Sequence, residues 1–152
     1  MYYITICTKN REKILSNIEI NPCRGRVPPL PNNHKDNVSI IQKHTETGKM
    51  VENAIKKINQ INNVKLNNYV IMPNHIHFIV ILNNIEGRGG TLPLHNIIGR
   101  FKSFTTKQYN LLNKTIGVKL WQRNYFEHII RNEEEYYKIC EYIENNPINY
   151  IN

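Results

Sequence analysis

The chain has 152 residues and a mass of 18.0 kDa, and 40% of its residues are hydrophobic, which suits one compact domain with a buried core. Twenty lysines and arginines against twelve acidic residues give a net charge of +8, which favours a polyanionic partner such as nucleic acid. No apolar run is long enough for a membrane-spanning helix, no secretory signal is present, and the three cysteines are widely spaced, so we expect a cytoplasmic protein of the prokaryotic cytosol or nucleoid without a membrane partner.

The first third of the chain predicts one strand, a long excursion and one helix. Alternation with β-branched residues predicts a strand over Tyr2–Thr8. Prolines and glycines between residues 12 and 48 argue against a continuous helix or a central strand. We expect a surface excursion there with short ordered pieces, including a Pro-rich insertion at about 18–48. Apolar residues at helical spacing predict a helix over Lys49–Asn62.

Two apolar segments in the middle of the chain predict a pair of antiparallel strands. Leu66–Met72 and His75–Leu82 are joined by a short turn at Pro73-Asn74. Because His75–Leu82 is apolar on both faces, we expect it to be a central strand. Residues 83–90 predict a loop, and Leu92–Leu112 has the apolar periodicity of a helix.

The last quarter of the chain predicts a strand over Tyr125–Ile130 and a final helix over Glu133–Asn145. Asn132 can cap this helix with Glu135 as its capping-box-like partner, and Pro147 is expected to end it. The order of elements is therefore β-α-β-β-α-β-α. This order predicts an α+β, ferredoxin-like fold in one domain: a split βαβ antiparallel sheet, as in RNA-recognition domains, with helices and a C-terminal helix.

His75 and His77 are the first candidate functional pair. A strand projects alternate side chains to one face, so both imidazoles share a face while Ile76 and Phe78 point to the other. Two imidazoles so arranged can bind one divalent cation. Alternatively, they are two hydrogen-bonded histidines near a strand end, since unpartnered histidines in an apolar strand are costly to bury.

Tyr142 and Asn146 are the second candidate pair. They are four residues apart on the final helix, so they share a face, and Lys138 lies one turn earlier on that face. A tyrosine hydroxyl is a poor nucleophile at its ordinary pKa of about 10, but a nearby cation, either Lys138 or a metal, favours the phenolate. The amide oxygen of Asn146 suits Mg or Mn. A tyrosine at helical spacing is otherwise a packing residue.

Basic residues with interleaved aromatic residues between positions 88 and 131 form the third candidate feature. Such a mixture suits single-stranded nucleic acid, because cations bind phosphate and rings stack on bases. We expect Lys102, Lys107 and Arg123 to contact DNA, with Lys138 as a further DNA-binding residue. The alternative is a solvated helix face beside an apolar stripe, and Trp121 is expected to belong to the core.

Taken in order, these motifs resemble the single-tyrosine HUH transposases, and among them the REP-associated tyrosine transposases. The segment 72–80 resembles their His-hydrophobe-His motif, and Tyr142–Pro147 resembles their catalytic helix, in which an amide follows the tyrosine by four residues. The segments Ile97–Ser103 and Leu120–Arg131 resemble their mid-chain helix and their tryptophan-to-arginine block. The resemblance covers the opening strand and nearly everything from residue 49 onwards, whereas the segment 18–49 departs from the family pattern.

The resemblance implies a metal-dependent endonuclease and strand transferase for single-stranded DNA with hairpin-forming ends. It implies that His75, His77 and Asn146 hold Mg or Mn, and that Tyr142 attacks the phosphate to form a 5′-phosphotyrosine intermediate without a nucleotide cofactor. The enzyme would be a monomer or a homodimer. Two alternatives stay open: a nucleic-acid-binding module of the RNA-recognition type without catalysis, and a nuclease of the relaxase or replication-initiator type with the same metal chemistry.

Overall fold

The computed structural model describes residues 1–22, 38–83 and 93–151, and these residues include six strands and three α-helices. The strands are β1 (Tyr2–Cys7), β2 (Ser16–Pro22), β3 (Val38–His44), β4 (Val64–Ile71), β5 (His75–Leu82) and β6 (Phe126–Ile129). The helices are α1 (Glu46–Lys56), α2 (Leu94–Leu112) and α3 (Glu133–Asn149). None of the helices described is both long and apolar enough to cross a membrane.

Four of the strands form an antiparallel sheet in the order β4-β5-β1-β6, and β2 pairs with β3 in a separate two-stranded sheet. The crossovers β1-α1-β4 and β5-α2-β6 each skip one strand, which is the split βαβ arrangement. The predicted ferredoxin-like α+β fold is therefore confirmed. The prediction that His75–Leu82 is a central strand is also confirmed, because β5 lies between β4 and β1.

The two faces of the four-stranded sheet have different coverings. On one face, Ile4, Ile6, Ile76 and Phe78 are fully buried in the core cluster formed with α1 and α2. The opposite face has a smaller apolar cluster around Ile79, to which α3 contributes. Because strand side chains alternate, neighbouring residues of β5 belong to different faces.

Helix α1 begins earlier than the predicted start at Lys49. Thr45 caps it, with its side-chain oxygen accepting a hydrogen bond from the amide of Gly48 at 3.0 Å. A Cβ atom at Gly48 would lie only 1.9 Å from the carbonyl oxygen of Leu15. Gly48 therefore belongs to the first turn of the helix, where the absence of a side chain allows this close backbone approach.

The predicted surface excursion contains a β-ribbon. Strands β2 and β3 are paired in antiparallel register from Ser16 opposite His44 to Pro22 opposite Val38. The short ordered pieces are therefore the two arms of one ribbon. Residues 23–37 of the predicted Pro-rich insertion lie outside the described residues, as do residues 84–92 of the predicted loop and helix start.

Helix α3 continues through Pro147, so the prediction that this proline ends the helix is wrong. A proline within a helix lacks its own amide hydrogen bond, but the amide of Tyr150 still donates to the carbonyl of Asn146 at 3.0 Å. Tyr150 also packs against the apolar cluster beneath α3, which stabilises the last turn. At the other end Asn132 caps the helix as predicted, accepting from the amide of Glu135 at 2.8 Å.

Candidate active site

The register between β1 and β5 determines the neighbours of the two histidines. His77 lies opposite Thr5, and His75 lies opposite Cys7. Opposed residues of antiparallel strands project to the same face, so the histidines share their face with Tyr3, Thr5 and Cys7. The ring centroids of His75 and His77 are 4.6 Å apart, and the rings are inclined at 73°.

His77 is held by two hydroxyl groups. Its Nδ1 atom lies 2.8 Å from Oη of Tyr3 and 2.8 Å from Oγ1 of Thr5. Its Nε2 atom is buried and has no hydrogen-bond partner among the residues that the structure describes. Because an unpartnered buried polar atom is costly, this nitrogen is the atom of the site that best fits a bound ligand. When Nδ1 donates its proton to either hydroxyl, Nε2 presents a lone pair.

His75 has an asparagine partner in the turn before its strand and another asparagine nearby. Its Nδ1 atom donates to Oδ1 of Asn74 at 2.7 Å, and the side chain of Asn146 raises the pKa of the ring. Asn146 lies on α3 and is buried, with 6% of its surface exposed. The side chain of a helix residue therefore reaches the strand that carries the histidines.

Tyr142 lies beside the same group of side chains. Its ring centroid is 5.5 Å from that of His77 and 6.5 Å from that of Tyr3, with both pairs in edge-on contact. Tyr142 is 48% exposed, so a large substrate can reach it. The structure thus brings together four residues that the sequence analysis singled out separately: His75, His77, Tyr142 and Asn146.

Burial keeps both imidazoles in the neutral form. It lowers the pKa of His75 to about 4, aided by the positive charge of Arg11 and opposed by the side chain of Asn146. Burial, followed by the effect of His75, lowers the pKa of His77 to about 3. A neutral imidazole is the form that binds a metal ion, so both rings are competent ligands at neutral pH.

Tyr3 is the other tyrosine beside the histidines, and it differs from Tyr142 in its surroundings. Burial raises the pKa of Tyr3 to about 12, with the hydrogen bond from Thr5 opposing the shift and the charge of Tyr142 adding to it. The phenol of Tyr3 therefore stays protonated, and its hydroxyl is committed to His77. These properties suit a positioning group better than a nucleophile.

The donor atoms of the site form a small set that fits a divalent cation. No group of three or more His, Cys, Asp or Glu side chains converges within the described ranges. The candidate ligands are instead the imidazoles of His75 and His77 and the amide oxygen of Asn146, a mixture of nitrogen and hard oxygen donors that Mg or Mn accepts. The unpartnered Nε2 of His77 supports this fit.

The four predicted DNA-binding residues occupy different settings. Lys102, on α2, donates to two backbone carbonyls of the segment that follows this helix, and its partial burial lowers its pKa. Lys107, also on α2, and Arg123 are exposed. Lys138, on α3, is exposed and forms an ion pair with Glu134 at 2.6 Å. The structure therefore does not gather these four cations into one cluster.

The sequence analysis did not single out Tyr3 and Thr5. Their signal was the alternation in β1, where residues 3, 5 and 7 interleave with the buried Ile4 and Ile6. Alternation defines which residues share a face, but it does not reveal which residue of another strand they oppose. The pairing with His77 therefore required the register of the sheet.

Comparison with known proteins assigns the chain to a family. A model of the family described as IS200-like transposase matches residues 32–146. The chain belongs to this family. An uncharacterized protein of Haemophilus influenzae is 30% identical, over 97% of this chain and 79% of that protein. The resemblance to transposases is therefore confirmed at the level of the family, which implies DNA cleavage and strand transfer as the class of activity.

Two solved structures share the fold of this chain. A REP-associated tyrosine transposase bound to a REP hairpin matches with a TM-score of 0.61 and 21% identity, over 98% of this chain and 67% of that chain. A candidate transposase from Deinococcus radiodurans R1 matches with a TM-score of 0.52 and 17% identity, over 95% of this chain and 88% of that chain. At these identities the likeness shows a common fold. HUH transposases generally use a divalent metal.

Proposed function

We propose that this protein is a metal-dependent endonuclease and strand transferase for single-stranded DNA. In this proposal Tyr142 is the nucleophile, and His75, His77 and Asn146 hold Mg or Mn. The observation that carries it is the convergence of these four side chains on one face of the sheet. The ring centroids of Tyr142 and His77 are 5.5 Å apart. The buried, unpartnered Nε2 of His77 supports the metal part of the proposal.

The proposed cleavage reaction uses the accessible phenol of Tyr142 as its nucleophile. A bound divalent cation would withdraw charge from a non-bridging oxygen of the scissile phosphate. The phenol oxygen of Tyr142 attacks phosphorus in line as its proton leaves to solvent, and the bond from phosphorus to the 3′ oxygen breaks. The products are a 5′-phosphotyrosine and a strand that ends in a 3′-hydroxyl, whose oxygen takes up a proton. Attack by a 3′-hydroxyl on the phosphotyrosine rejoins DNA, so no nucleotide cofactor is required.

The proposed substrate is single-stranded DNA with hairpin-forming ends. Support comes from the net charge of +8 and from the fold shared with a transposase whose structure was solved with a REP hairpin. All four proposed residues belong to one chain, so a monomer contains a full set and the reaction needs no residue from a second copy. Dimer formation would then affect DNA binding rather than the chemistry.

A covalent-adduct assay tests the proposal. Labelled hairpin-bearing single-stranded DNA is incubated with the protein at saturating Mn and analysed on a denaturing gel. We expect a protein–DNA adduct with the wild type and with Tyr3→Phe, and no adduct with Tyr142→Phe, because only the last variant lacks the attacking oxygen. Tyr3→Phe is a matched control, since it removes a hydroxyl from the same site.

Peptide mapping of the trapped adduct identifies the modified residue. A label on Tyr3, or on any tyrosine other than Tyr142, would overturn the assignment of the nucleophile. DNA binding without any adduct, at any concentration of Mg or Mn, would indicate a nucleic-acid-binding module of the RNA-recognition type instead.

A further inference from the structure

A groove bordered by the turn after β1 opens at the same end of the sheet as His75, and we propose that it binds the phosphate backbone of single-stranded DNA next to the phosphate that is cleaved. This inference rests on the proposed function, because it takes the histidine site as the point of cleavage. The groove has a volume of about 660 Å³ and lies between the turn after β1, helix α2 and the segment 119–123. We call it the basic groove, and its lining residues include Lys9, Asn10, Ser103, Thr106, Lys119 and Gln122.

The turn Lys9–Arg11 connects the basic groove to the histidine site. The amide and the hydroxyl of the buried Thr8 both donate to the carbonyl of Asn74, at 3.0 Å each. Asn74 directly precedes His75, so the turn is bonded to the chain at the edge of the site. The positive charge of Arg11 acts on His75, which agrees with this proximity.

The backbone of this turn has an uncommon conformation. Asn10 and Arg11 have φ angles of 54° and 58°, in the left-handed region that residues other than glycine seldom adopt. The carbonyl oxygen of Glu12 lies 2.8 Å from the hydroxyl of Thr8 and shares its single proton with the carbonyl of Asn74, and the amide of Arg11 donates to the carbonyl of Thr8 at 3.1 Å. Such conformations persist where the surroundings fix them, and they concentrate at functional sites.

The facing wall of the basic groove is bonded to the same turn and to β1. The amide of Lys9 donates to the carbonyl of Leu120, and the amide of Gln122 donates to the carbonyl of Cys7, both at 2.9 Å. The ammonium of Lys102 adds two hydrogen bonds from α2 to backbone carbonyls of that wall, at 2.7 and 2.8 Å. These bonds join the three walls, so the groove is formed before any ligand binds.

The charge of the basic groove is positive and is not neutralised internally. Lys9, Lys119 and Arg123 make no ion pair with another described residue, and no carboxylate is among the described residues that line the groove. Four lysines elsewhere in the described residues do form ion pairs, as in the contact of Lys56 with Glu52 at 2.7 Å. Unpaired cations in a concave surface attract a polyanion, and each phosphate that they bind releases counterions.

The lining of the basic groove suits phosphate better than bases. Trp121 borders the groove, but it is 4% exposed and its indole nitrogen donates to Oγ1 of Thr105 at 2.7 Å. Its ring is therefore part of the core, as the sequence predicted, and offers no stacking platform. Hydroxyls, amides and ammonium groups remain, and these bind phosphate oxygens without reading sequence. We expect binding in this groove to depend little on base sequence.

Salt titrations of lysine-to-glutamine variants test the proposal. The probe is fluorescein-labelled oligo(dT), and its affinity is measured by anisotropy over a range of KCl concentrations in EDTA, so that binding is separated from cleavage. Lys9→Gln and Lys119→Gln should each flatten the plot of log affinity against log salt by about 0.7, the slope for one phosphate contact of a single strand. At 0.1 M salt this corresponds to about a fivefold loss of affinity.

Lys65→Gln is the matched control. Lys65 is an exposed lysine of β4 opposite Ile81, at the end of the sheet away from His75, and its substitution should leave the slope unchanged. Thermal unfolding of each variant checks that the fold is retained. Slopes for Lys9→Gln and Lys119→Gln that equal the wild-type slope would overturn the proposal.

A modified substrate tests the position of the bound backbone. A neutral methylphosphonate replaces the phosphate adjoining the mapped cleavage position, and Lys119→Gln should then weaken binding no further. If a wild-type adduct forms but the groove variants bind DNA as the wild type does, the basic groove proposal fails and the proposed function stands. If the slopes change but no adduct forms, the groove is a DNA site and the proposed reaction fails.

Discussion

The two faces of the central sheet use the same strands for opposite purposes. Against α1 and α2, Ile76 and Phe78 are fully buried in an apolar cluster. Against α3, the alternate residues are the half-buried His75 and the buried His77, whose Nε2 atom has no hydrogen-bond partner among the described residues. One face therefore contributes stability through apolar burial, whereas the other accepts an energetic cost in order to keep a nitrogen available.

Because alternate side chains of a strand point to opposite faces, neighbouring residues of β5 can have different roles. One residue stabilises the fold, and the next contributes to the candidate active site. A substitution on one face is expected to change the free energy of unfolding, and a substitution of its neighbour is expected to change metal binding or cleavage. Each of the following predictions compares the two faces in this way.

The largest difference is expected between His77→Ala and Phe78→Ala. His77→Ala should reduce DNA cleavage in Mg by about three orders of magnitude, because a candidate metal ligand is lost, and it should leave hairpin binding largely intact. Phe78→Ala should lower the free energy of unfolding by about 3–5 kcal/mol, because it leaves a cavity in the apolar cluster against α1 and α2. Cleavage assays and urea unfolding measure the two effects. Near wild-type cleavage by His77→Ala would refute the metal site.

A smaller effect is expected from the two hydroxyls that contact His77. Tyr3→Phe and Thr5→Val each remove one contact to Nδ1, and the double variant should lose about 10- to 100-fold in Mn affinity, as is typical when groups that orient a metal ligand are removed. Electron paramagnetic resonance of free Mn measures the affinity. Ile4→Val is the control from the other face: it should cost about 1 kcal/mol of stability and leave Mn affinity unchanged.

The smallest effect concerns a carboxylate at the rim of the apolar face. The hydrogen bond from Lys56 lowers the pKa of Glu52 below its ordinary value of 4.5, with burial opposing the shift, and Tyr69 and His44 also contact this carboxylate. Stability from this group is present above pH 4.5 and is lost as the pH falls through the lowered value.

Glu52→Gln should therefore lose less stability than the wild type as the pH falls from about 5 to 3, although solvent screening keeps the difference below about 1 kcal/mol. Urea unfolding at a series of pH values gives the comparison. Parallel curves for the two proteins would show that this carboxylate does not contribute. Metal affinity should be unaffected, since Glu52 belongs to the opposite face from the histidines.

Much of the fold could be predicted because strong local patterns coincide with its elements. Strand β5 has the predicted bounds, since a proline-asparagine turn precedes it and its apolar run is unbroken. The start of α1 could not be predicted in this way, because Gly48 reads as a loop residue until the carbonyl of Leu15 is seen against it. The prediction that Pro147 ends α3 was wrong for a similar reason. Tyr150 packs against the apolar cluster beneath the helix, and this tertiary contact stabilises the last turn.

The candidate site was predictable where its residues are close in sequence. His75 and His77 are related by strand period, and Tyr142 and Asn146 by helix period, so each pair was visible in the sequence. Contacts between the pairs, and the hydroxyls on β1, depend on sheet register and helix docking, which no local pattern encodes. The family resemblance joined the pairs, but it did not reveal Tyr3.

Helix α3 carries both Tyr142 and Asn146, one turn apart, and Ile143 between them is buried against the sheet. The proposed nucleophile and the proposed amide ligand therefore move as one body whenever this helix shifts or tilts. Attack distance and metal coordination cannot be adjusted separately by such a motion. A displacement of α3 from the sheet would therefore remove the proposed nucleophile and the proposed amide ligand from the histidines together.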